Sequence, residues 1–182
     1  RTGVLETWKK RIPWLLLLMV SATFTSAILT HFENALAAQS ALIAFIPMLM
    51  DTGGNAGGQS SVTIIRGLSL QEIELKDIFA VIWKEIRVAM LCGIALATAN
   101  FAKLMLIDRL LNPDITVRIA LVVCITLVIA VLFAKIIGCT LPILAKRIGF
   151  DPAVMASPFI TTIVDAVSLL VYFLIASILL PM

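Results

Sequence analysis

Asp165 stands seven residues after Pro158 in SPFITTIVDAVSLLVYFLIASILL, a stretch with no other charge that is long enough to cross a bilayer. An ionised aspartate at the centre of a spanning helix costs about 2.5 to 3.5 kcal/mol on insertion scales, so a partner, a water-filled cavity or a bound cation has to offset it. Thr161 and Thr162, one turn earlier, put hydroxyls on the same side as the carboxylate. A second polar set lies in FIPMLMDTGGNAGGQSSVTIIRGL, where Gly53, Gly54, Gly57 and Gly58 are interspersed with Asp51, Asn55, Gln59, Ser60 and Ser61. Small residues there permit either close helix approach or local unwinding, and unwound carbonyls at membrane depth occur where they line a cavity or are covered by protein. The donors in both stretches are carboxylates, amide and backbone carbonyls, and hydroxyls, a set that suits a hard cation. Mg²⁺ keeps much of its water and is commonly held by one or two carboxylates, so a sparse acidic site fits it. One Asp165 half-neutralises a divalent ion; a two-fold dimer with its path near the axis supplies two.

These residues need a membrane scaffold, and the composition provides one. Hydrophobic residues are 61% of the 182, charged residues 14%, and the mean hydropathy is +1.09. Apolar runs at about 13–32, 36–65, 88–107, 117–144 and 154–180 predict five transmembrane helices in an all-α membrane protein, since helices satisfy their own backbone in lipid. With the N-terminus cytoplasmic and the C-terminus outside, inner flanks carry 11 Lys and Arg residues, Lys135 among them, against 3 (Lys103, Arg109, Arg118) outside. The stretch 67–87 has apolar residues at helical spacing among mixed charges and reads as an amphipathic helix lying on the inner face. Asp165 is 11 residues beyond Val154, about 16 Å at about 1.5 Å per residue, hence mid-bilayer. Asp51 falls farther out, about 22 Å from Arg66. Pro158, lacking an N–H, leaves the Val154 carbonyl without its helical partner.

Other chemistries fit less well. The net charge of +3 is a topology signal, and no aromatic-interleaved basic patch points to nucleic acid. Cys92, Cys124 and Cys139 lack CxxC spacing, and His31 has no second histidine to share a metal. The glycines are not followed by the Gly-Lys-Ser/Thr of a phosphate loop. Asp51 with Asp165 could form the acid pair of an intramembrane aspartyl protease, but neither lies in the Tyr-Asp or Gly-x-Gly-Asp context of those enzymes. A packing protein, in which glycines and polar residues only join helices, remains a further reading.

PMLMDTGGNAGGQSSVTIIRGL together with DPAVMASPFITTIVD resembles the transmembrane domain of the MgtE family of magnesium transporters. The resemblance rests on Pro47, Gly53, Gly54, Asn55, Gly57, Gln59 and Arg66, and on Gly138, Pro142, Gly149, Asp151, Pro152, Pro158, Thr161, Thr162 and Asp165, and it covers essentially the whole chain. It implies a homodimeric Mg²⁺-selective channel in the bacterial plasma membrane, its pore built from the second and fifth helices of both subunits. Asp165 would bind hydrated Mg²⁺, with Mn²⁺ and other divalent ions as further candidates, and the Thr161 backbone carbonyl would lie close by. Gly53, Gly54, Asn55, Gly57, Ser157, Pro158 and Thr162 would line the pore; Asp51 and Glu33 would draw cations to its outer mouth. The resemblance also implies a cytoplasmic N-terminal domain and paired CBS domains that sense Mg²⁺, outside this chain, with residues 1–12 ending their connecting helix. The whole of 1–182 would then be the pore domain. A carrier exchanging Mg²⁺ for Na⁺ or H⁺ stays open beside the channel, since broken helices and midplane sites occur in carriers too.

Overall fold

The computed structural model describes residues 3–149 and 157–180, all of them helix or connection. α1 (Val4–His31) runs through Pro13 and is followed by the short α2 (Glu33–Ala38). A 3-10 helix over Ser40–Phe45 leads into α3 (Ile46–Ser69), which has Pro47 in its first turn. α4 (Ile78–Lys103) continues through a widened π turn at Leu104–Asp108 into α5 (Arg109–Leu111). α6 (Val117–Arg147) is capped by the Thr116 hydroxyl, and α7 (Ser157–Leu179) closes the bundle. Among the described residues four stretches, Val4–His31, Ile78–Leu111, Val117–Arg147 and Pro158–Leu179, are long and apolar enough to cross a bilayer. α3 is not among them, because its polar residues lower its hydropathy. Its 24 residues still reach about 36 Å, beyond the ~30 Å hydrocarbon thickness.

α6 is the central post, against which α3, α4 and α7 pack; α7 also packs on α3, and α1 leans mainly on α7. Three apolar clusters stack along it. One end holds Leu42, Phe45, Leu49, Ile119, Tyr172 and Phe173; the middle holds Ala56, Ala89, Val131, Ala134, Ile160 and Val164. The opposite end holds Ile64, Leu68, Cys139 and Ile143. Phe32, just past α1, stacks on Phe173 of α7 with centroids 4.8 Å apart.

The second apolar run is not one helix over 36–65. Gln39 has a non-helical backbone (φ −136°, ψ 71°), and 40–45 form a 3-10 helix whose Ala41, Leu42 and Phe45 are buried against α6 and α7. The hydroxyl of buried Tyr172 donates to the Leu42 carbonyl at 2.9 Å, satisfying a backbone group near this break. We expect Tyr172→Phe to lower stability by about 1 kcal/mol, the net worth of one intramolecular hydrogen bond, read as a lower thermal midpoint in detergent. An unchanged midpoint would mean that the break is held by packing alone.

The separate amphipathic helix expected over 67–87 is also absent. A reciprocal cap, in which Glu74 and Asp77 each accept from the other's backbone N–H, ends the connection at Asp77. From Ile78 the chain is a single helix to Lys103. The apolar side of this first part, Ile78, Val81 and Ile82, packs with Ile73 on Ile64, Leu68, Cys139 and Ile143. Its periodicity therefore records burial against α3 and α6.

Candidate functional site

α3 is continuous through its glycines, so the unwound glycine-rich turn considered from the sequence gives way to close helix packing. A Cβ on Gly53 would come within 2.9 Å of Ser168 Oγ and 3.0 Å of Val164 Cγ1 on α7. One on Gly57 would meet the Ala134 carbonyl oxygen of α6 at 3.0 Å and Ile160 Cγ2 of α7 at 3.1 Å. Gly138 of α6 is seated against the Gly57 backbone itself. Gly53 and Gly57 are thus packing residues; their missing side chains bring α3 against both neighbours.

Gly54 does more. A Cβ there would lie 3.0 Å from Thr161 Cγ2 and 3.9 Å from Asp165 Oδ1, so the bare backbone at this position leaves the Asp165 carboxylate room. Met50, Asp51, Gly54, Asn55, Thr161 and Asp165 together line an open cleft between α3 and α7. A second cleft, lined by Gly54, Asn55, Gly58, Gln59, Val62 and Thr63, shares two of those residues. The two join into one polar strip along α3 from Asp51 to Thr63, about 18 Å of helix rise. Asp51, Asn55, Gln59, Thr63 and Arg66 are exposed along it.

Asp51, Asn55, Thr161 and Asp165, singled out on two distant stretches, are brought to one place. Thr161 and Thr162 each donate their hydroxyl to the Pro158 carbonyl at 2.9 Å, so these hydroxyls turn back onto α7 and leave oxygen lone pairs outward. Thr162 lies in a different, apolar groove, with Phe24, His31 and Phe32 of the α1 end and Phe159 of α7. Pro158 is exposed in the first turn of α7, and Glu33 is exposed at the start of α2. Asp151, Pro152 and Val154, with the side chain of Ser157, lie outside the described residues. No group of three or more His, Cys, Asp or Glu side chains suited to a metal occurs among the described residues, and the cleft offers Asp165 and Asp51 with neutral oxygens around them.

A buried polar cluster behind this strip was not anticipated. Ser60 of α3 donates to Glu85 Oε2 of α4 at 2.6 Å, and Lys135 Nζ of α6 donates to Ser60 Oγ at 3.3 Å. Lys135 Nζ and Glu85 Oε2 are 3.8 Å apart. Lys135 is 6% exposed and Glu85 9%, so Lys135 is not the inner-flank charge it was counted as, and the asymmetry becomes 10 against 3. The helix rise carries the signal: Lys135 is 12 residues before Arg147, about 18 Å into a helix of the spanning type.

The helices and the strip describe a multi-pass membrane protein with an acidic cleft between two of its helices. A family model described as a divalent cation transporter, MgtE, matches residues 46–175. The chain is 37% identical over 179 residues to the magnesium transporter MgtE of Thermus thermophilus, an alignment covering 98% of this chain and 38% of that protein. It is 34% identical over 168 residues to the magnesium transporter MgtE of Bacillus subtilis, covering 92% of this chain and 36% of that protein. Against the magnesium transporter MgtE of Enterococcus faecalis it is 30% identical over 173 residues, 95% of this chain and 37% of the relative. The chain belongs to the MgtE family, and it spans a little over a third of the length of these relatives. The family model and these relatives are named as transporters, and in this chain Asp51 and Asp165 share a cleft.

Proposed function

We propose that this chain forms, as a two-fold homodimer, a path for Mg²⁺ across the bacterial plasma membrane. Five helices of each subunit span the bilayer, α3 among them, with the N-terminus cytoplasmic and the C-terminus outside. The observation that carries the reading is the exposed strip Asp51, Asn55, Gln59, Thr63 and Arg66 on a helix long enough to span. Lipid does not tolerate such a face, whereas a second copy of the same face across a water-filled gap does. Two strips facing each other about an axis place two Asp165 carboxylates and two Asn55 amides around one ion. Mg²⁺ keeps several waters when bound, so a wide, sparsely acidic path holds it through its hydration shell. The relatives' names as magnesium transporters agree with this ion. The Thr161 carbonyl, Gly54 and Pro158 belong to the same wall; Asp51 and Glu33 add negative charge toward the outer mouth. In the longer protein, a cytoplasmic N-terminal domain and CBS domains regulate the path.

The test joins assembly to transport. With Gln59→Cys or Asn55→Cys, a short bismaleimide should link two subunits covalently, whereas Leu106→Cys on the exposed side of the π turn should not, the parent with its three native cysteines serving as background. The same preparations in liposomes should take up Mg²⁺ above empty vesicles. Cross-linking at Leu106 but not at Gln59 or Asn55 would overturn the proposed interface; no uptake above background would overturn the transport reading.

A further inference from the structure

Along the middle of α3, between its apolar anchors Leu49 at one end and Ile64 and Leu68 at the other, the contacts fall on small residues. Gly53, Gly54 and Gly57 offer no side chains to interdigitate with α6 or α7. Yet the proposed path depends on which way that helix faces. Ser60 is nine residues from Asp51, which at about 100° per residue puts it on the opposite side of α3. There its hydroxyl is the one buried polar link from α3 to a charge pair on two other helices, Glu85 of α4 and Lys135 of α6, among the hydrogen bonds of the described residues. Hydrogen bonds are directional, and this one donates at 2.6 Å to a charged acceptor, a short and strong class.

Stability alone does not account for the cluster. Replacing a buried ion pair by apolar groups of similar size is often neutral or stabilising, so a buried pair is weak evidence for a stabilising role. Specifying one arrangement among several of similar energy is a better-attested use of such groups.

We propose that Glu85, Ser60 and Lys135 are positioning residues that fix the azimuth of α3, and thereby the placement of Asp51, Asn55 and Gln59 toward the ion. The role rests on the α3 strip lining the Mg²⁺ path. Its signature is a change in how the path responds to Mg²⁺ concentration in a protein that remains folded. Removing one charge strands the other, so the informative variants keep the cluster balanced. The double variant Glu85→Gln with Lys135→Met removes both charges at nearly constant volume; Ser60→Ala removes only the hydroxyl and leaves the charges facing each other. The exchange of Glu85→Lys with Lys135→Glu restores a pair of opposite polarity.

The experiment measures initial Mg²⁺ uptake against Mg²⁺ concentration in liposomes carrying the full protein, with thermal midpoints recorded for each variant and Asp165→Asn run beside them. We expect the double variant to keep a midpoint close to the parent's while its half-saturating Mg²⁺ shifts by about fivefold or more, the range of coupling between contacting groups. Ser60→Ala should shift in the same direction by about threefold, and the exchanged pair should return toward the parent. A double variant and a Ser60→Ala whose curves overlay the parent would overturn the positioning role. Should the double variant not fold, Ser60→Ala alone decides in the same way. Asp165→Asn separates the two readings: transport lost there with normal triad variants defeats only the positioning role, and parent-like transport in Asp165→Asn defeats the path on which it rests.

Discussion

Mg²⁺ uptake by liposomes carrying Asp165→Asn falls by about tenfold or more relative to the parent at matched reconstitution, while the protein keeps or gains thermal stability. The two halves of this expectation have one cause. Two unit charges about 4 Å apart interact by about 4 kcal/mol at an effective dielectric of about 20. Even a third of that, through an intervening water shell, corresponds to about tenfold in an equilibrium constant. In a dimer the substitution acts on both carboxylates at once. Asparagine has nearly the same shape, so the space left by Gly54 beside the carboxylate stays filled in the same way. It also removes the insertion penalty of an ionised acid, about 2.5 to 3.5 kcal/mol at the membrane centre, which is why stability should not suffer. A packing aspartate would give the opposite pairing, transport unaffected and stability changed. Equal uptake by parent and variant would remove Asp165 from transport and overturn the path built on it.

The largest effect on the fold is expected at Gly138. A methyl group there would run into the Gly57 carbonyl oxygen and lie 2.9 Å from the Gly57 carbonyl carbon and 3.0 Å from its Cα. All three are backbone atoms, with no flexible side chain to move aside, so α3 and α6 must separate along their crossing. Overpacking in a well-filled core typically costs about 1 to 3 kcal/mol, and a backbone obstacle belongs at or above the upper end. For a chain of this size that is a drop in thermal midpoint of about 10 °C. Gly93→Ala supplies the graded comparison: its Cβ would meet Val128 at 3.1 to 3.4 Å, where a few tenths of an ångström of give suffices. The midpoints should therefore fall in the order parent, Gly93→Ala, Gly138→Ala. A Gly138→Ala protein as stable as the parent would show that the crossing can open without loss.

The apolar runs made most of the helices legible, because about 20 uncharged residues have few other uses. Asp165 was legible for the same reason: one carboxylate in such a run stands out. The break at Gln39 was not, since no glycine or proline precedes Ser40 and what holds the segment is burial of Leu42 and Phe45 and a hydroxyl from Tyr172, 130 positions away. The glycines of α3 misled in the opposite direction. In an isolated helix they favour unwinding, but two neighbouring helices pressed against them keep α3 intact. Lys135 counts as an inner-flank charge in the sequence although it falls inside the run 117–144, and α6, which continues through Pro142 to Arg147, sets it well within the helix. Glu85 was misplaced with it, since a periodicity that fits a membrane surface equally fits the flank of α6.

The meeting of Gly57 with Gly138 has a consequence for how the bundle can move. Neither residue has a χ angle, so the crossing loses no side-chain freedom when it forms and has no rotamers to exchange afterwards. Most helix contacts yield gradually, by picosecond to nanosecond side-chain hops that let the interface creep. This one lacks that compliance at its centre. α3 and α6 can slide along their groove as rigid rods or part altogether, and any opening or closing of the strip on α3 must proceed as a whole-helix displacement on the slower, microsecond to millisecond scale of collective motion.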